Sequence, residues 1–308
     1  MKYFKKFSNL IKRYGPLLFI KVLYLNICRK YQFFLNLNFL ELKSLTILRF
    51  IPNFIAPVFS ININKIRRTV LSFSGSKPYK DPFVQLVKKI HKNETKKYQS
   101  SNLERYYESY KIDLIYDLFP LTLEYKNSKI FSLKARYINN ILPWDEVFYK
   151  KTLQEIVEEI DKQKNILRKT QENNLKFNEN IFYGNQNFGP VHMEMGKLEF
   201  ERYKSVLSSI IAKGYKPDLK NNPHISGQIL KDKDEWLTLI SDGVHRSTVL
   251  IAINYIKLPI SFKVIPKIID RKEVSNWPGV TRHYYTVDEA LIIFDSIFQS
   301  NNSLNIYE

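Results

Sequence analysis

A single cysteine, Cys28, serves all 308 residues. No internal disulfide can form, and thiolate metal clusters, which need several cysteines, are excluded with it. A reducing, cytoplasmic compartment is the simplest expectation. Glycine is scarce, at nine residues, which excludes collagen-like and linker-like chains. Acids are nearly missing from the first 70 residues, which hold thirteen Lys and Arg against Glu41 alone. Long apolar runs are missing too. A membrane-spanning helix takes about 20 apolar residues. Lys21, Arg29, Lys30, Glu41, Lys43 and Arg49 interrupt the apolar stretches before that length, and the longest uncharged run, Phe50 to Asn64, carries Pro52, Pro57 and three Asn. No small-x-small cleavage site follows the first apolar segment, so no signal peptide is expected.

What is present is an ordinary globular balance, 44% hydrophobic, with 21 Phe and 20 Tyr, under a formal net charge of +18. That charge is unevenly placed. Residues 71–180 hold 20 basic and 15 acidic residues, and residues 181–308 hold 15 and 14, so most of the excess lies in the first quarter. Phe7, Leu10, Ile11, Tyr14, Leu17 and Leu18 recur at helical spacing with Lys5, Lys6, Lys12 and Arg13 between them. Residues 1–73 are therefore read as a basic, mainly helical region. Three readings of its surface stay open: an apolar stripe docked on the rest of the protein, a peripheral contact with anionic lipid at the inner membrane face, or a contact with nucleic acid, for which no recognised motif is present.

Residues 74–80 (SGSKPYK) read as a linker or turn. A connecting α/β segment follows: residues 81–110 read as helical, and residues 112–116 and 121–125 as short strands. Residues 129–142 read as a strand that stops at Pro143. Residues 152–169 form an expected helix, with Thr152 and Glu155 as a capping box. Residues 197–213 are an amphipathic helix terminated by Gly214. Strands over 224–230 and 236–241, a helix over 246–256, a closing strand over 260–265 and a last helix capped by Thr286 and Glu289 complete the chain. The expected fold class is α+β: a mixed-sheet domain over 129–270 with a helical insertion, then a helical extension over 271–308.

The segment richest in chemistry is Ser241-Asp242-Gly243-Val244-His245-Arg246-Ser247. It joins an expected strand to an expected helix, where free backbone N–H groups and the positive end of the helix dipole suit a phosphate. Gly243 allows close backbone approach. His245 and Arg246 add donors in a first turn where acids would complement the dipole, and a cation there gains from a bound anion. A second cluster, Phe188-Gly189-Pro190-Val191-His192-Met193-Glu194, precedes the long helix and reads as an ordered loop or as a lid, with Lys197 able to reach a phosphate. Trp277-Pro278-Gly279, Arg282 and His283 read as an aromatic turn packed on the last helix or as the rim of a pocket. The five histidines show no close metal-ligand spacing, and no zinc site is expected.

From Phe188 to Ile265 the chain resembles the ParB/sulfiredoxin superfamily. The likeness rests on the helix Phe200-Glu201-Arg202-Tyr203-Lys204-Ser205-Val206-Leu207-Ser208-Ser209-Ile210, then Gly214, then two strands of which the second ends at Asp242-Gly243, then His245-Arg246 opening a helix, then Leu258-Pro259-Ile260. The resemblance implies a sulfiredoxin-like fold that binds a nucleotide such as ATP, with Mg²⁺ as its usual companion. It places the phosphates on His245 and Arg246, together with Arg202, Ser205 and Ser209 of the preceding helix; Asp242, Gly243 and Ser247 of the same turn complete the candidate nucleotide-binding set. Val244 stands where sulfiredoxins carry the reactive Cys, which excludes their chemistry. The partition proteins carry Gly-Glu-Arg-Arg at this point and a helix-turn-helix domain afterwards. Here 42 residues follow Pro266, so a DNA-associated role is disfavoured. The motif is closest to the Asp-Gly-His-His-Arg of the free-serine-kinase-like branch. That branch implies a kinase, a transferase acting on a small hydroxyl-bearing molecule. Relatives of this shape are associated with surface-glycan loci, which implies a sugar or glycan precursor as substrate. The branch places its catalytic base just after the first strand of the domain, which corresponds here to Glu146 or Asp145, beside His245. A non-catalytic nucleotide-binding module that switches a partner is the alternative.

Overall fold

The computed structural model describes residues 35–36, 58–68, 81–119, 121–172, 187–217, 224–262 and 268–299. The amphipathic stretch from Phe7 and the linker at 74–80 lie outside the described residues.

The described chain is α+β, built on a mixed sheet. Its strands are β1 (Leu35–Asn36), β2 (Val58–Asn62), β3 (Ile66–Arg67), β4 (Ile225–Asp232), β5 (Glu235–Asp242), β6 (Lys257–Ser261) and β7 (Ile268–Asp270). They lie in the order β1-β2-β6-β4-β5-β3, with β7 on β4. β4 and β5 form an antiparallel hairpin, from the pair Asp232–Glu235 at the turn to Ser226–Asp242 at the open end. β6 runs parallel to β4 at Ile225 and Ser226, and β7 runs parallel to it at Ile229 to Lys231. Leu237, Thr238, Leu239 and Ile240 are buried in succession, as a strand covered on both faces requires.

The helices are α1 (Pro82–His91), α2 (Asn102–Ser109), α3 (Leu153–Glu172), α4 (Met193–Lys213), α5 (Val244–Ala252), α6 (Pro278–Thr281) and α7 (Val287–Gln299). α5 packs on α1, α4, β4 and β6, and its Val249 and Leu250 are fully buried along with Ile225, Ile229, Leu258 and Ile260 of the sheet. Elsewhere Trp144 meets Trp277 edge-on at 5.3 Å and Phe294 at 6.0 Å. Trp277 thus lies on the last helix, as the aromatic-turn reading expects, with Arg282 and His283 exposed. Both expected capping boxes form. Thr152 N–H donates to Glu155 and Glu155 N–H to Thr152 Oγ1, and Thr286 and Glu289 do the same.

Three expectations are corrected. Residues 58–67 belong to the region read as helical, yet they are two strands joined by the 3-10 turn Ile63–Lys65: β2 runs antiparallel to β6, and β3 extends the sheet alongside β5. Phe59 and Ile61 are buried two residues apart, the period of a strand. Residues 112–116 and 121–125 are not strands but part of a run of 3-10 turns at Ile115–Leu118 and Leu123–Asn127. Residues 129–142 likewise hold the 3-10 turn Ala135–Asn140. Their buried residues, Ile130, Phe131, Ala135, Tyr137, Ile138, Ile141 and Leu142, do not alternate with exposed ones as the face of a strand would.

Candidate functional site

The turn between β5 and α5 is built as the motif suggests. Gly243 takes φ +80° and ψ +28°, the left-handed conformation that glycine adopts at least cost, and it precedes the first helical residue. A side chain there would also meet the backbone of Ile225 at 3.0 Å and the Arg246 guanidinium at 3.0 Å. The first turn of α5 contains no acid, and no side chain caps it. Asp242 folds onto the turn, its Oδ1 accepting from Gly243 N–H at 2.7 Å. Its other oxygen lies 4.0 Å from the Arg246 guanidinium, which is largely buried while the Asp242 carboxylate is exposed. Tyr215 Oη, reached by the fields of Arg246 and Asp242, accepts from Ile225 N–H at 3.2 Å.

Beneath the turn lies a group the motif does not announce. Glu199 of α4 is 2% exposed. Its Oε2 sits 2.7 Å from His245 Nε2, and its Oε1 pairs with Arg202 one turn further along the helix. The imidazole lies against the Tyr203 ring, with centroids 4.6 Å apart and planes tilted by 44°. Tyr107, fully enclosed nearby, has its hydroxyl pKa pushed well up by burial and by the Glu199 charge. Glu199 could have been suspected: it falls on the buried stripe Gly196, Phe200, Tyr203, Leu207 and Ile210, and a carboxylate on such a stripe must find partners.

A second buried charge supports the same helix. Arg68, 1% exposed, pairs with Asp81, the N-cap of α1, and donates to Thr248 Oγ1 in α5. Tyr203 hydrogen-bonds to both Arg68 and Thr248, and burial pushes its hydroxyl pKa up. Thr248 in turn donates to the Val244 carbonyl at 2.7 Å. Burial lowers the Arg68 pKa to about 10, so the guanidinium remains charged at neutral pH. No sequence signal marks Arg68; it reads as one more cation of a basic region.

The structure thus brings Asp242, Gly243, His245, Arg246 and Arg202 together. Ser247 is corrected: it is fully buried, its hydroxyl donating to the Val244 carbonyl at 2.8 Å within its own helix. Ser205 and Ser209 lie exposed on α4. Asp145 and Glu146 lie elsewhere in the fold. Asp145 Oδ2 accepts from Leu142 N–H at 2.8 Å, and Glu146 opens a 3-10 turn, Glu146–Tyr149, that packs on α6. The expected strand before them is absent, and with it the positional argument for their role. Phe188 to Val191 form a packed loop, as the first reading has it, while His192 caps α4 and Met193 and Glu194 open it. Gly189 N–H donates to the Tyr110 carbonyl at 2.7 Å, Ile112 N–H donates to the Gly189 carbonyl at 3.0 Å, and Lys197 pairs with Glu194 at 2.7 Å.

Compared with known proteins, the chain matches no family model, no curated protein and no solved structure. Among the described residues no helix is long and apolar enough to cross a membrane. No three His, Cys, Asp or Glu side chains among them gather into a metal-binding group.

Proposed function

We propose that the chain is a ParB-like nucleotide-binding protein, an NTP-dependent phosphotransferase acting on a small hydroxyl-bearing molecule. The observation that carries this reading is the left-handed Gly243 turn opening α5 with His245 and Arg246, and with neither an acid nor a side-chain cap in its first turn. The Arg246 guanidinium at the positive end of a helix opposes the dipole; a polyphosphate placed there is attracted by both and outweighs that opposition. The donor set fits such a ligand: backbone N–H groups of the first turn and the Arg246 guanidinium. Asp242 is the carboxylate of the turn suited to hold Mg²⁺, which when bound would neutralise phosphate charge. The protein's own groups then bind and orient: the turn approaches the phosphates closely because Gly243 has no side chain, and Arg246 adds a planar donor fork.

A ligand that binds only the folded state raises its stability. The melting temperature of the full chain is expected to rise with MgATP or another nucleotide of a panel. The rise should vanish in Arg246→Ala and shrink in His245→Ala. Nucleotide consumption on adding a hydroxyl compound then distinguishes an enzyme from a binding module. A melting temperature indifferent to every nucleotide removes the reading.

A further inference from the structure

Resting on the phosphate-transfer reading, we propose that Glu199 is the positioning residue that makes His245 the proton acceptor of the site, taking the proton of the acceptor hydroxyl. A carboxylate that is 2% exposed must be compensated, and Arg202 on one oxygen would supply that from within α4. The second oxygen is given instead to an imidazole on a different helix, at 2.7 Å. A carboxylate only accepts hydrogen bonds, so the proton of the neutral ring sits on Nε2 and Nδ1 carries the basic lone pair. The ring is also held from the side. Tyr203 contacts it at 4.6 Å between centroids and is itself tied to Arg68 and Thr248. The result is an oriented base in the first turn of α5, next to the Gly243 turn.

In the step that follows, Nδ1 takes the hydroxyl proton as the hydroxyl oxygen bonds to the terminal phosphorus. The bond between that phosphorus and the bridging oxygen breaks, and its electron pair leaves with the nucleoside diphosphate. The imidazolium formed faces the Glu199 carboxylate, which stabilises it. His245 thereby takes the role that position along the chain offered to Glu146 or Asp145.

The test uses the full chain and the variants Glu199→Gln and His245→Asn. Proton–nitrogen correlation spectra of the imidazole, assigned by the signal missing in His245→Asn, report the tautomer. The wild type is expected to be protonated on Nε2, and Glu199→Gln to lose that preference, since an amide can donate to Nε2 as readily as accept from it. With saturating MgATP and glycerol or hexoses as acceptors, Glu199→Gln should slow transfer about tenfold and His245→Asn about 100-fold, while Glu199→Gln keeps its MgATP-dependent rise in melting temperature. A wild-type ring protonated on Nδ1, or transfer by Glu199→Gln at the wild-type rate, overturns the positioning role and leaves nucleotide binding standing. A wild-type chain that no nucleotide stabilises overturns the phosphate-transfer reading, and the hydroxyl as proton donor with it.

Discussion

Removing the Arg68 guanidinium tests the buried architecture most directly. Arg68 and Asp81 are 1% and 2% exposed, so their pairing is made out of water. Asp81 Oδ1 accepts from Phe83 N–H at 3.0 Å and Val84 N–H at 3.1 Å, capping α1, while Oδ2 faces Arg68. The guanidinium carbon also lies 6.0 Å from the centre of the Phe83 ring. In Arg68→Met the methionine fills much of the stem volume, but Asp81 keeps its charge with only two backbone donors. Breaking one side of a buried pair costs about 3–5 kcal/mol, a fifth or more of the roughly 5–15 kcal/mol that holds a typical domain together. Asp81→Asn should cost as much, because the amide can still cap α1 but leaves the guanidinium buried without its counter-ion. The two losses share one cause, so the double variant should recover about 2 kcal/mol of their sum. Urea denaturation reads this as shifts of midpoint at constant slope. A cost below about 1 kcal/mol for Arg68→Met, or single effects that add within about 0.5 kcal/mol, refutes the buried pair.

A Cβ on Gly189 would stand 1.8 Å from the Tyr107 carbonyl oxygen. Gly189→Ala should therefore destabilise the fold by about 1–3 kcal/mol or more, seen as a lower denaturation midpoint; unchanged stability would show that the loop does not press on α2 this way. Burial pushes the Tyr98 hydroxyl pKa up to about 12 and those of Tyr107, Tyr203 and Tyr285 upward. The unfolded chain releases these protons from about pH 10 while the folded one keeps them. Their contribution is thus fully present below pH 10 and is lost as pH rises above it. Phenolate absorbance should show tyrosines that ionise only as the fold is lost; titration of every tyrosine near pH 10 with the far-ultraviolet dichroism intact would contradict this. Thr286→Ala should cost about 1 kcal/mol through the cap of α7, with Thr286→Ser nearly neutral, again by denaturation midpoint; equal effects of the two would place the threonine methyl, not the cap, in charge.

The parts of the fold that position the turn were legible because local signals agreed there. α4 has an apolar stripe and a glycine at its end, β4 and β5 are short apolar runs joined by Lys233 and Asp234, and Gly243 lies where the strand hands over to α5. Residues 112–116, 121–125 and 129–142 mislead because runs such as Lys129-Ile130-Phe131-Ser132-Leu133-Lys134 look extended when taken alone, whereas 3-10 turns leave no strict alternation of buried and exposed residues. β2 and β3 escaped notice because a two- or five-residue strand inside a basic, aromatic region is outweighed by the composition around it. Of the site, His245, Arg246 and Gly243 are adjacent in the chain and could be read as a motif. Glu199 lies 46 residues from His245, and Arg68 lies 180 from Thr248. Such pairs are made by packing, which a single sequence does not display.

The two arginines at the end of β3 revise the meaning of the basic region. Arg67 donates to the Ile297 carbonyl at 3.2 Å and the Phe298 carbonyl at 3.0 Å. These are carbonyls of the last turn of α7, where a cation complements the helix dipole. Arg68 turns instead to Asp81, Thr248 and Tyr203. Arg67 ends β3 and Arg68 follows it, and the pair ties this edge to α7 with one side chain and to α1, α4 and α5 with the other. Lys65 lies 5.9 Å from the ring centre of Trp236 on β5. Lys65, Arg67 and Arg68, the cations of the first 70 residues that fall among the described residues, are thus all engaged with the domain itself. Substitutions at Arg67 or Arg68 would therefore register as lost stability before they registered as lost binding.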